Sequence, residues 1–124
     1  MPDEQRPKAV ALSTAAPALS LPAIQSLVSE KYGIEGTVLP LASERDQNCC
    51  IEQADGTRYV LKISNPSEAL SIVDFQIAAL NHIAESAPGL STPRVVRTLE
   101  GSLRDNVTLD GGEITTVRML TYLD

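Results

Sequence analysis

Tryptophan is absent and phenylalanine occurs once, as Phe75, so aliphatic side chains must build the core and the three tyrosines leave little for stacking on bases. The two cysteines, Cys49 and Cys50, are adjacent. In an extended segment they point to opposite faces and make no disulfide framework. With a single distant histidine, His82, they match no metal-ligand spacing, and strand packing accounts for them. A reducing cytoplasm is the simplest compartment for such a chain. No uninterrupted apolar run is long enough to span a bilayer. The segment up to Pro22 carries Asp3 and Glu4 near its start and repeated Ser, Thr and Pro, which makes a poor signal peptide. Clustered Lys and Arg are missing too: the net charge is −6, with acids and bases interspersed, which argues against a nucleic-acid partner. A local lysine can still serve an anionic small molecule against that total.

The 124 residues suffice for one small domain with its own core. Residues 1–20, rich in Ala, Pro and Ser, read as a flexible leader, and residues 21–124 as the folded domain. Leu21-Pro22-Ala23 opens a helix with Ile24, Leu27 and Val28 on one face and Gly33 as its stop. Gly36 to Leu41 reads as a strand, Ala42 to Asn48 as a polar loop and Cys49 to Gln53 as a second strand. Asp55-Gly56 then turns the chain into a third strand, Arg58 to Ile63. Asn65-Pro66-Ser67-Glu68 has the form of a helix start, with Asn65 as cap, and the helix should run to about Ser86. Its apolar stripe is Ala69, Val73, Ile77, Leu80 and Ala84. Extended segments follow at Arg94 to Leu99, Leu103 to Leu109 and Glu113 to Leu123, separated by Glu100-Gly101 and Asp110-Gly111-Gly112. This order predicts an α+β fold: an antiparallel sheet of about five strands, one long helix packed on it and an N-terminal helix.

Within Arg58-Tyr59-Val60-Leu61-Lys62-Ile63, alternation puts Val60 and Lys62 on one face and Tyr59, Leu61 and Ile63 on the other. An ammonium in an apolar strand reaches the rim, pairs with a carboxylate, or holds an anionic ligand such as a phosphate. The plain reading is a rim lysine that extends to water. His82 has no serine, cysteine or carboxylate motif around it and reads as a surface helix residue.

Strand, polar loop, strand, Asp-Gly turn, strand with an inward lysine, helix and closing strands is also the order of a kinase small lobe. From residue 22 to 124 the chain resembles the aminoglycoside phosphotransferase and choline kinase-like superfamily. The residues that carry this are Ser43-Glu44-Arg45-Asp46-Gln47-Asn48, Tyr59 to Ile63, Asp74-Phe75-Gln76-Ile77-Ala78-Ala79-Leu80, Thr92-Pro93-Arg94-Val95-Val96 and Arg118-Met119-Leu120-Thr121-Tyr122-Leu123. The branch it looks most like is the hydroxylysine-kinase-like phosphotransferases. The resemblance implies that Lys62 holds the α- and β-phosphates of ATP and Val60 covers the adenine. Ser43, Asp46, Gln47 and Asn48 would stand where relatives have a glycine-rich phosphate loop. Leu120 would back the adenine pocket, and the Thr121 and Leu123 backbones would make the hinge contacts. Gln76 falls where many relatives carry the helix glutamate that pairs with the strand lysine, so a neutral hydrogen bond is expected there. Asp74 is the substitute considered, although it faces differently on the helix.

In the family, the catalytic aspartate, its asparagine and the magnesium-binding aspartate lie in a second lobe after the hinge, and so do most acceptor contacts. The expectation is therefore a nucleotide-binding lobe with no catalytic or metal-binding residue of its own, inactive alone. Its partners would be a nucleotide and a C-terminal lobe in cis, with no nucleic acid and no membrane. ATP with Mg is implied for the full-length parent. An uncovered cleft face around Val60 and Leu120 would support a weak homodimer. Two other readings stand beside this one: a non-catalytic docking module with the same fold, and a generic α+β domain whose Lys62 is merely solvated.

Overall fold

A computed structural model describes residues 16–123 of the chain. Helix α1, Leu21–Tyr32, begins where Ser20 adopts an extended conformation and its hydroxyl accepts the Ala23 N–H at 3.2 Å. It stops at Gly33, whose φ of 68° places it in the left-handed region while its N–H donates to the Ser29 carbonyl. Ile24, Leu27, Val28 and Tyr32 fall on the buried side of the helix, as their spacing requires. Of the expected leader, residues 1–15 lie outside the described residues. At its end Pro17 and Leu19 are buried.

Six strands follow: β1 Thr37–Leu41, β2 Gln47–Glu52, β3 Arg58–Ile63, β4 Val95–Val96, β5 Asp105–Thr108 and β6 Ile114–Thr121. They form one antiparallel sheet in the order β1-β2-β3-β6-β4, with β5 also paired to β6. β6 is therefore central. One of its edges meets β3, and the other is shared by β5 at Ile114 to Val117 and β4 at Met119 and Leu120. Gly36 allows β1 to approach β2 closely, since a Cβ there would lie 2.7 Å from the Glu52 carbonyl oxygen. The β2–β3 turn is the expected Asp55-Gly56 turn, with Gly56 at φ 89° and the Asp55 carboxylate accepting the Thr57 N–H.

The α+β expectation holds, with six strands where about five were read. Three local assignments shift. Gln47 and Asn48 belong to β2 and not to the preceding loop, because they continue the ladder opposite Ile63 and Lys62. Helix α2 runs Leu70–Ser86 and starts after Ala69, with no side-chain cap. Asn65 does not cap it: the Asn65 side-chain oxygen instead accepts from the Ser67 N–H and hydroxyl, closing a turn on itself. The segments after α2 also shorten, to two paired residues for β4 and four for β5.

The main core lies between α1 and one face of the sheet. Ile24, Leu27, Val28 and Tyr32 pack there with Cys49, Ile51, Leu61, Ile63, Val117 and Met119. α2 adjoins the opposite face and buries only Val73 and Ile77 of its stripe, while Phe75 is 71% exposed. The N-terminal helix, and not the long one, closes the core. No helix among the described residues is long and apolar enough to cross a membrane.

Candidate functional site

Cross-strand pairing assembles the site on the sheet face away from α1. Residues directly opposed in an antiparallel ladder share a face. Lys62 is opposed to Asn48 on β2 and to Arg118 on β6, and Val60 to Cys50 and Leu120. Further out, Leu39 and Leu41 of β1 stand opposite Cys50 and Asn48 and remain exposed. The result is a half-open apolar surface of Leu39, Val60 and Leu120 leading to a pair of cations.

Lys62 is half-buried, and among the described residues it makes no hydrogen bond or ion pair. Burial pulls its pKa below the ordinary 10.5, the Arg118 charge pushes the same way, and Asp46 opposes them. Asn48 sharpens the picture: its side-chain oxygen is buried and has no partner among the described residues. Such an orphan is uncommon enough to require an explanation, and turning the amide would present two N–H donors beside Lys62. A cation in no direct ion pair and an adjacent unpartnered amide suit an anionic ligand, and the half-open apolar surface beside them suits a flat ring.

The loop before β2 is held firmly. The Asp46 carboxylate accepts the Asn65 N–H at 3.0 Å, the Arg45 carbonyl accepts the Asn65 side-chain amide at 2.9 Å, and the Arg45 guanidinium donates to the Ser67 hydroxyl at 2.9 Å. Ser43 closes the loop by donating to the Asp46 carbonyl. Ser43 and Asp46 therefore shape the loop, and Asp46 brings a negative charge near both cations. Gln47 faces the α1 side, where its side chain makes a two-way hydrogen bond with the Leu19 backbone, at 2.8 and 2.9 Å. It stands apart from Lys62.

Gln76 points into the site, but to a different cation than expected. Its side-chain oxygen accepts from Arg118 Nη2 at 2.7 Å, while Arg118 Nη1 donates to the Ser64 hydroxyl at 3.2 Å. Asp74 is engaged elsewhere, gripped by the Arg104 Nε and Nη2 at 2.6 and 3.2 Å. At the sheet end, the Thr121 N–H donates to the Arg94 carbonyl and its hydroxyl accepts the Arg94 N–H, so that backbone donor is already committed. Leu123 follows the strand and is half-exposed. Between them Tyr122 lies under the Arg58 guanidinium, 4.3 Å from the ring centre.

Lys62, Val60, Asn48 and Leu120 are thus gathered on one face, while Thr121, opposed to Tyr59, turns to the other face and Leu123 follows the strand end. Arg118 and Asn65 were not singled out for the site from the sequence. Arg118 carries the same signal as Lys62, a lone cation between apolar strand residues, Val117 and Met119. Asn65 was read as a helix cap, because its sequence neighbourhood fits both a cap and a self-closing turn. Among the described residues no group of three His, Cys, Asp or Glu converges as a metal site.

In backbone course the chain superposes on the solved structure of amicoumacin kinase hAmiN in complex with AMP-PNP, Ca2+ and Ami, with a TM-score of 0.69 at 14% identity, over 94% of this chain and 34% of that one. The fold is that of a small-molecule-kinase-like N-terminal lobe. In sequence the lobe is similar to hydroxylysine kinase of Danio rerio, 33% identical over 113 residues, covering 86% of this chain and 31% of that protein. It spans about a third of the length of either protein. No family model matches it.

Proposed function

We propose that this lobe is the nucleotide-binding part of an ATP-dependent phosphotransferase that acts on a hydroxyl group of a small, amine-bearing acceptor. The observation that carries the reading is Lys62: half-buried, in no direct ion pair among the described residues although the Asp46 charge reaches it, beside the orphaned Asn48 oxygen and next to a half-open apolar surface. Lys62 and Asn48 would hold the phosphates, Val60 and Leu120 would cover the adenine, and the Leu123 backbone would meet its edge. ATP with Mg would supply the transferable phosphoryl group. Phosphoryl transfer depends mainly on positioning and electrostatic stabilisation. This lobe positions one end of the nucleotide, and a C-terminal lobe in cis would provide the remaining groups, so the isolated lobe turns over no ATP. Two buried free thiols suit a reducing cytoplasm. Left uncovered, the face with exposed Leu39 and Leu41 beside Val60 favours weak self-association.

Titration calorimetry of ATP against the chain and its Lys62→Ala variant tests the assignment. Loss of one charge-assisted hydrogen bond, about 1.5–3 kcal/mol, corresponds to roughly 10- to 100-fold weaker binding. Equal affinity in the two proteins would reject the role given to Lys62. The second reading, a non-catalytic docking module, draws on Gln76 and Asp74 both serving arginines, which leaves Lys62 without a helix carboxylate. Sequencing the gene downstream separates the two: an aspartate-asparagine loop and a later metal-site aspartate favour the enzyme, and an unrelated domain favours the module.

A further inference from the structure

Arg118 is only 6% exposed, yet both acceptors of its guanidinium, Gln76 and Ser64, are neutral. Buried arginines ordinarily face a carboxylate, since an uncompensated interior charge is strongly unfavourable. The two carboxylates whose charges reach it, Asp46 and Glu68, make no ion pair with it among the described residues, and burial outweighs them in pulling its pKa below the ordinary 12.5. Its opposite neighbour in the ladder is Lys62, another cation without an ion pair. The sheet therefore brings two positive charges to adjacent positions of one face and balances neither by direct contact. Such a placement is unfavourable in the empty protein and favourable once a polyanion arrives.

We propose that Lys62 and Arg118 form a two-cation anchor for a polyphosphate chain, in which Lys62 contacts the ligand and Arg118 is a positioning residue held by Gln76. The neutrality of Gln76 is then a determinant of ligand charge: it orients the guanidinium without cancelling it. Helix α2 is coupled to the phosphate site through Arg118 and not through Lys62. This inference rests on the nucleotide reading above for its ligand, but its electrostatics concern the phosphates alone.

The test uses the whole chain, the variant Gln76→Glu and three probes: ATP, AMP and inorganic tripolyphosphate. A glutamate at this position keeps the shape and places a negative charge against Arg118. The variant should melt no lower than the parent, because a part-buried neutral contact becomes an ion pair, while ATP and tripolyphosphate bind about tenfold more weakly, AMP changes less, and the salt dependence of ATP binding becomes shallower. Opposite signs for stability and affinity are what a purely structural role for Gln76 does not produce. Unchanged or tighter ATP binding in Gln76→Glu overturns the anchor while leaving the nucleotide reading intact. If tripolyphosphate binds as well as ATP and weakens in the variant, the anchor stands and the nucleotide reading falls. If none of the probes binds, both fall.

Discussion

Leu61 and Lys62 are neighbours in one strand and face opposite ways. Leu61 is fully buried in the core that Cys49, Ile51, Met119 and helix α1 form, a cluster of aliphatic, sulfur and tyrosine side chains. Lys62 looks onto a half-open surface with a second cation, an orphaned amide oxygen and no direct ion pair among the described residues. The same alternation builds both faces, so the contrast cannot come from the backbone. It comes from the choice of residue at every second position. One face holds the fold together, and the other carries charges that do not help it fold. The sealed face has its own lapse, a Tyr32 hydroxyl with no partner among the described residues, but the adjacent cations lie on the open one.

The sharpest way to break this contrast is to truncate adjacent residues. Leu61→Ala should destabilise the chain by about 2–5 kcal/mol, the usual range for a buried leucine. Val60→Ala, one position earlier on the half-buried open face, should cost less than about 1.5 kcal/mol, since it removes little more than partly hydrated methyl groups. Urea denaturation of both variants measures the pair. Comparable losses would mean that the open face is as firmly packed as the sealed one.

How much of this could be read from the chain follows the same division. α1, the Asp55-Gly56 turn and β3 fall where the sequence puts them, because each is set by local signals: the apolar spacing with Gly33, the turn dipeptide and strict alternation. Lys62 stood out because one charge interrupted an apolar strand. Asn48 and Gln76 were named through the resemblance, but Arg118, and its bond to Gln76, did not stand out. That Gln76 serves Arg118 depends on which strand lies beside β3, and pairing β6 there across the whole of α2 is a tertiary fact that no local pattern carries. Asn65 failed for a related reason. It sits where a cap would sit, but its backbone and side-chain amide bind Asp46 and Arg45, far back along the chain, which fixes the turn and delays the helix to Leu70.

Alkaline titration sharpens the comparison with a smaller effect, because Lys62 on one face and Tyr32 on the other are perturbed with opposite consequence. On the open face the Lys62 pKa is lowered by burial and by Arg118. The folded chain therefore sheds that proton before the unfolded chain does, and the cost of the charge, present at neutral pH, fades as pH rises toward 10.5. On the sealed face burial, followed by the Asp105 charge, pushes Tyr32 from 10.0 up to about 12. Its contribution is complete below 10.0 and is lost as pH rises from there toward about 12. The stability advantage of Lys62→Met over the parent should therefore shrink on moving from pH 7 to pH 10. Tyr32→Phe, which removes a buried hydroxyl that has no partner among the described residues, should flatten the fall above pH 10. Denaturation midpoints across that range read both. A Lys62→Met advantage that grows with pH would show that Lys62 is paired in the folded state.

The two helices extend the contrast with the smallest effect. α1 is sewn into the sealed core by four buried side chains, whereas α2 buries two, half-buries Leu80 and Ile83, and adds polar contacts, Arg118 to Gln76 and the surface clasp of Arg104 on Asp74. Surface ion pairs are individually weak and screened by salt. Amide hydrogen exchange should accordingly be faster along α2 than along α1. Asp74→Asn, or raising the salt concentration for the parent, should speed α2 further while α1 stays unchanged. A helix held by two buried side chains, one neutral hydrogen bond to Arg118 and an exposed clasp is the freer of the two to shift, and on the proposed nucleotide reading ATP should slow its exchange selectively. Equal protection of both helices, with no response to Asp74→Asn, would place α2 in the rigid half of the molecule and remove the route by which the site and the helix influence each other.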